Sequence, residues 1–266
     1  MMDPAPTGAG DPPVIPPSPR EPRRAHASAD SPRNRVAAGV RRISGLVVGR
    51  PLDEESLSAA ATAIAKVADD LEQAAGPGKA PRGMPDHLGH PQDFFPTSPI
   101  IGYANPIAPP VDIWTVAGDD GAVELRGRAC FGYPYEGPPT CVHGGVIAEL
   151  FDELLGSVTI LAGRAGMTGT LTVRYRRPTP LLAELDLAAR QTGVDGRKFF
   201  ACGAIYYKGE LTAEAEAVFI EARPERMIEL LSAGVARGGD AVVDDELAEL
   251  VKRGGRITGT EGPPPR

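Results

Sequence analysis

Apolar and polar positions recur with two different periods along this chain, and the change of period divides it. From Arg35 to Arg50, Val36, Val40, Ile43 and Val47 fall at helical spacing, with Arg35, Arg41 and Arg42 around them. A second helix is predicted from Glu54 to about Ala75. Asp53 caps it, acids fill its first turn, Gly76-Pro77 ends it, and Leu57, Ala61, Ile64, Val67 and Leu71 form its stripe. The period then shortens. Ile113–Val116 and Ala122–Phe131 read as strands around a turn at Gly118-Asp119-Asp120-Gly121, and a long apolar helix follows from about Gly144 to Ala162. Thr168–Tyr175, Leu185–Thr192, Phe199–Tyr207 and Thr212–Ile220 complete the strands, with tight turns at Asp195-Gly196 and Lys208-Gly209. Two weaker helices are expected near 224–233 and 244–253.

These elements imply four parts. Residues 1–33, dense in Pro, Ala, Ser and Arg, are expected to be a disordered leader. Residues 34–98 form a helical arm and a surface connection, 99–222 the main domain, and 223–266 the C-terminal helices and a disordered tail. One long helix wrapped by a single antiparallel sheet is the hotdog arrangement, an α+β fold, and the free edges of such a sheet invite pairing with another copy.

Composition narrows the function. A net charge of −7 argues against nucleic-acid binding, and no apolar run reaches the ~18 residues of a membrane span. Cys130, Cys141 and Cys202 are odd in number and widely spaced, so they read as reduced thiols of a cytoplasmic protein. No secretory signal is visible. The Arg-rich, acid-poor stretch 20–50 leaves an organelle transit peptide open, and its prolines speak against one. The basic helix at 35–50 suits either an anionic lipid surface or packing on its own protein.

The run from His143 to Asp152 carries the candidate chemistry. His143-Gly144-Gly145 opens the apolar helix, the glycines permit close backbone approach, and the helix N-terminus offers unpaired N–H groups to a carbonyl or oxyanion. Val146, Ile147, Leu150, Phe151, Leu154, Leu155 and Val158 share one face, while Glu149, Asp152 and Glu153 lie on the other. Periodicity alone leaves these acids open to reading as a solvated stripe. Asp152 stands nearest the apolar border, where partial burial suits a carboxylate to base chemistry, with Glu149 its rival. Cys141 and His143 are spaced as a nucleophile pair or as a small buried thiol beside a turn. Asp86-His87-Leu88-Gly89-His90 looks like a metal cluster, but it lies in a Pro/Gly-rich connection and reads as a surface loop.

Residues 136–156, Glu-Gly-Pro-Pro-Thr-Cys-Val-His-Gly-Gly-Val-Ile-Ala-Glu-Leu-Phe-Asp-Glu-Leu-Leu-Gly, resemble the signature of PaaI-like hotdog acyl-CoA thioesterases, in particular the thioesterase superfamily member 4-like group. Tyr175-Arg176-Arg177-Pro178 and Gly196-Arg197-Lys198-Phe199-Phe200 extend the resemblance, in the family's order, over about residues 100–222. It implies an acyl-CoA substrate, no cofactor and no metal. It also implies Asp152 as the catalytic carboxylate, acting as general base or attacking directly to give a mixed anhydride, Thr168 as the hydroxyl holding the attacking water, and the N–H of Gly144 polarising the thioester carbonyl with His143 close by. Gly145 is expected at the substrate. Arg176, Arg197 and Lys198 are the cations suited to the phosphates of coenzyme A, a routine strand edge being the alternative. Where some relatives keep an Asn before His-Gly-Gly, this chain has Gly137, so a backbone N–H substitutes there or catalysis is weaker.

Helix geometry adds a constraint. Gly144 and Asp152 are separated by ~12 Å along one helix at ~1.5 Å per residue, whereas reacting groups meet within ~3–3.5 Å. The expected solution is a homodimer, or a dimer of dimers, with Gly144 of one copy facing Asp152 and Thr168 of the other. The alternatives are a hotdog enoyl-CoA hydratase and an acyl-CoA-binding module without turnover.

Overall fold

The computed structural model describes residues 31–76, 92, 95–118, 121–162 and 166–221. The leader up to residue 30, the Asp86–His90 cluster and the two expected tail helices lie outside these residues. The arm consists of α1 (Pro32–Gly49) and α2 (Glu54–Ala74). Ser31 caps α1 by accepting the N–H of Asn34, with Pro32 in the first turn, so the helix begins slightly before the expected end of the leader. Asp53 caps α2 through Ser56 as expected.

The body has β1 (Val111–Ala117), β2 (Val123–Ala129), α3 (Gly144–Leu161), β3 (Gly166–Tyr175), β4 (Leu185–Asp195), β5 (Lys198–Tyr207) and β6 (Glu210–Glu221). All strand pairs are antiparallel, in the order β1-β2-β4-β5-β6-β3. This is the hotdog arrangement, with β1 and β3 at the edges. The hairpin between β5 and β6 turns on Lys208 and Gly209, both at positive φ, which matches the right-handed twist of the strands.

α3 lies on one face of this sheet. Ile147, Leu150, Phe151, Leu154, Leu155 and Val158 are buried, facing Ala189, Ala201, Ala213, Ala215 and Ala217. Small residues on the sheet let a helix with large ones sit close. A Cβ on Gly203 would stand 3.1 Å from the Leu155 side chain and 3.4 Å from that of Phe151. Among the described residues, no helix is long and apolar enough to cross a membrane.

The connection before β1 is more than a surface loop. Gln92 is buried; its amide donates to the carbonyls of Ile101 (2.7 Å) and Val111 (2.9 Å), and its oxygen accepts from Ile113. Ser98 is buried too and accepts the N–H groups of Ile100 and Ile101. This strap over α3 is held from the arm by Arg41, which donates to the carbonyls of Asn105 (2.6 Å) and Tyr103 (3.3 Å). Gly49 lets the end of α1 approach the Tyr133 ring, where a Cβ would lie 2.0 Å from the nearest ring carbon.

Candidate active site

The site is built on the exposed side of α3. His143 is the N-cap, and its Nδ1 accepts the N–H of Gly145 at 3.0 Å, which places the neutral ring's proton on Nε2. No acceptor among the described residues takes the N–H of Gly144. The carbonyl of Gly144 accepts from the Tyr175 hydroxyl at 2.8 Å, and the tyrosine ring lies over the glycine, where a Cβ would meet it at 3.4–3.5 Å. Tyr175 thus clamps the His-Gly-Gly turn from the end of β3. The sequence marked this tyrosine only as part of a motif.

Of the two readings left open at Gly137, the backbone geometry bears on the substitute donor. The N–H of Gly137 donates to the Cys141 carbonyl at 3.0 Å, so it is not a second oxyanion donor. A Cβ there would stand 2.7 Å from the Cα of His143. The loop before His143 has no room for a side chain at this position, which accounts for the missing Asn.

Two turns along the helix, Thr168 Oγ1 donates to Asp152 Oδ1 at 2.7 Å. The register of β3 against β6 shifts between Thr168 and Thr170, so a bulge at Gly169 sets the direction of the threonine. Both Asp152 and Thr168 are exposed in the single chain, a correction to the partial burial expected of Asp152. The half-buried acid is Glu153, which the sequence placed with the solvated stripe. Burial pushes its carboxyl group up from the ordinary glutamate range, the charge of Asp152 adds to this, and a hydrogen bond from the Ser98 hydroxyl opposes it. With both Ser98 lone pairs taken by backbone N–H groups, its proton is the one left to donate.

Asp152 and Glu153 form a ridge between two cavities. One, of about 350 Å³, is walled by Phe95, Pro96, Gly156, Ile160 and Phe219, with Thr168 at its rim. The other, of about 380 Å³, is walled by Ile107, Pro109, Tyr135 and Val146, with Glu149 at its rim. Pro99 of the strap borders both. A group lying across Asp152 therefore has a cavity on either side.

The expected phosphate-binding cations are split. Arg176 donates from Nε to Glu214 at 2.6 Å, Arg177 pairs with Glu210 at 2.6 Å, and Arg174 with Glu216 at 2.9 Å, so all three belong to a ladder of ion pairs between β3 and β6. Arg176 lies at the Tyr175 end of β3, far from Thr168. Arg197 and Lys198 lie at the other end. Lys198 pairs with Ile220, which pairs with Met167, beside Thr168. The Arg197 guanidinium also donates to the Glu221 carbonyl at 2.7 Å. Cys141 is half-buried in an isolated bridge to Pro180, and His143 uses Nδ1 as a cap.

No protein-family model matches the chain. It is 37% identical over 108 residues to the acyl-coenzyme A thioesterase THEM4 of Mus musculus, which is 39% of this chain and 46% of that protein. The Bos taurus protein of the same name is 36% identical over 98 residues, 36% of this chain and 40% of the relative. The chain thus spans less than half the length of these curated relatives. A crystal structure of a thioesterase superfamily protein matches more of it, with 32% identity, 72% of this chain, 96% of that chain and a TM-score of 0.60.

Proposed function

We propose that this chain, which belongs to the thioesterase superfamily, hydrolyses acyl-CoA thioesters to a free acid and coenzyme A. The observation that carries this reading is the 2.7 Å contact between Asp152 and Thr168 on the ridge between two cavities. A thioester has substituents on both sides of its reacting carbon, and such a ridge accommodates both. The name of the THEM4 relatives, acyl-coenzyme A thioesterase, supplies the substrate class.

In this reading Thr168 holds one Asp152 oxygen and accepts a hydrogen bond from the attacking water. Asp152 takes the water's proton as the water oxygen bonds to the carbonyl carbon. The carbonyl oxygen gains negative charge facing the N–H of Gly144 at the positive end of α3. The intermediate then collapses, the C–S bond breaks, and the thiolate leaves with the electron pair. Arg197 and Lys198, at the Thr168 end of the sheet, are the cations placed to meet coenzyme A phosphates. Arg176, engaged by Glu214, keeps the strand ladder instead.

Two copies complete the site. β3 is an edge strand, and Thr168 and Tyr175 stand seven residues apart on it. If two β3 edges pair antiparallel about a two-fold axis at Thr172, the Thr168–Gly169 bulge of one copy comes opposite Tyr175 of the other. Because Tyr175 holds Gly144, the pairing brings Gly144 of the second copy to Asp152 of the first.

Free thiol released from a panel of acyl-CoAs tests the activity, with Asp152→Asn as control. Loss of a general base lowers kcat by roughly 10²–10⁴, with an unchanged melting temperature because Asp152 is exposed. Acyl-CoA binding without thiol release indicates a binding module, and hydration of an enoyl-CoA a hydratase; either result overturns the proposal.

A further inference from the structure

Both helices of the arm present apolar stripes to solvent. On α1, Val36, Val40, Ile43 and Val47 are 41–53% exposed, because the helix rests on the body through Asn34, Ala37 and Arg41 on another side. On α2 every residue is exposed, and Leu57, Ile64, Val67 and Leu71 line one side. Helices in proteins owe most of their stability to packing of an apolar face, which α2 lacks among the described residues. Two such stripes together form the kind of exposed patch that marks an interaction surface.

Charge identifies the occupant. α1 carries Arg33, Arg35, Arg41 and Arg42 and no acid. α2 carries Glu54, Glu55, Asp69, Asp70 and Glu72 against Lys66 alone. Each stripe is flanked by the sign that the other lacks. The two helices do not cover each other within one chain. Arg50 precedes Pro51 and is extended (φ −133°, ψ 141°), and Asp53 is extended as well (φ −77°, ψ 155°). A residue before proline is held out of the helical region, which ends α1 there, and both stripes remain exposed on the single chain. An anionic membrane suits α1 but repels α2.

We propose that the arm is an interface between two copies of this chain. The apolar stripe of basic α1 docks on the stripe of acidic α2 from the second copy, and the contact repeats about a two-fold axis. The arrangement covers both stripes and pairs both charge sets. It rests on the arm alone and is independent of the catalytic reading.

Two variants of the full chain test it. One carries Arg33, Arg35 and Arg42→Glu; the other carries Asp69, Asp70 and Glu72→Lys. Arg33 and Arg35→Glu put acids in the first turn of α1, where the helix dipole favours them. Asp70→Lys also breaks the Lys66–Asp70 pair within α2, so recovery on mixing is what separates a lost interface from a weakened helix. The readout is amide hydrogen exchange across residues 54–74. In the wild type these amides are protected, and in each variant alone protection falls by about tenfold or more. Mixing the two variants restores it, because each α1 then meets an α2 of opposite charge in the other copy. Unprotected wild-type amides overturn the proposal, as does protection that the variants leave intact or that mixing does not restore. Protection of α1 gained only on phosphatidylserine vesicles overturns it in favour of a membrane.

Discussion

A site divided between two copies can be rebuilt from two inactive ones. Gly144→Pro removes a single hydrogen-bond donor. Proline is accepted at the first position of a helix, and His143 before it already has the extended conformation a pre-proline residue needs (φ −61°, ψ 133°). Loss of one oxyanion donor costs about 10²–10³ in kcat. Asp152→Asn removes the proposed base, while the amide oxygen still accepts from Thr168, so the local structure is kept. Within one chain the two positions lie ~12 Å apart along α3, and Gly144 is tied to Tyr175 at the opposite end of β3 from Thr168. Each variant alone is then inactive at both sites of its dimer. In a mixed dimer, one site receives Asp152 from one copy and Gly144 from the other and is intact, while the other site carries both defects. Random reassortment makes about half of the dimers mixed, each with one working site of two, so the mixture recovers about a quarter of wild-type activity. Co-expression of the two variants, followed by thiol-release assay, measures this. If the mixture is no more active than its parts, both groups serve one site within one chain, and the divided site is wrong.

Two further outcomes concern stability. The carboxyl group of Glu153 is raised in the folded state, mainly by burial. The folded chain therefore holds more protons than the unfolded one between the ordinary glutamate range and the raised value, and stability falls as pH rises through that window. Glu153→Gln keeps an acceptor for Ser98 and removes the charge. Its melting temperature should exceed that of the wild type at pH 7 and converge with it below about pH 4; a pH-independent difference refutes the assignment. Gly49→Ala puts a Cβ where the Tyr133 ring lies. Overpacking of this kind costs about 1–3 kcal/mol, read as a melting point lower by several degrees; an unchanged value means that α1 is not seated on Tyr133.

Much of this protein was legible in the order of its residues. The strand and helix periods specify the sheet, its turns and α3 because period and turn chemistry are local properties. The motif reading brought Asp152 and Thr168 together across sixteen positions, and the structure joins them by a hydrogen bond. Residues whose role depends on what folds over them were not legible. Glu153 sits in the same stripe as Glu149, and only the strap carrying Ser98 makes it the half-buried acid. That strap, with Gln92 and Ser98 buried, read as a surface connection because prolines and glycines carry no period. Arg176 and Arg197 look alike as cations in sequence. Cross-strand register decides that one meets Glu214 while the other lies toward Thr168. Gly137 likewise was an absent Asn until the backbone of His143 was found pressed against it. Periodicity and motif spacing thus determined the elements and the residues proposed for the chemistry. Tertiary structure alone decided burial, pairing and room, because each depends on atoms that are distant in sequence.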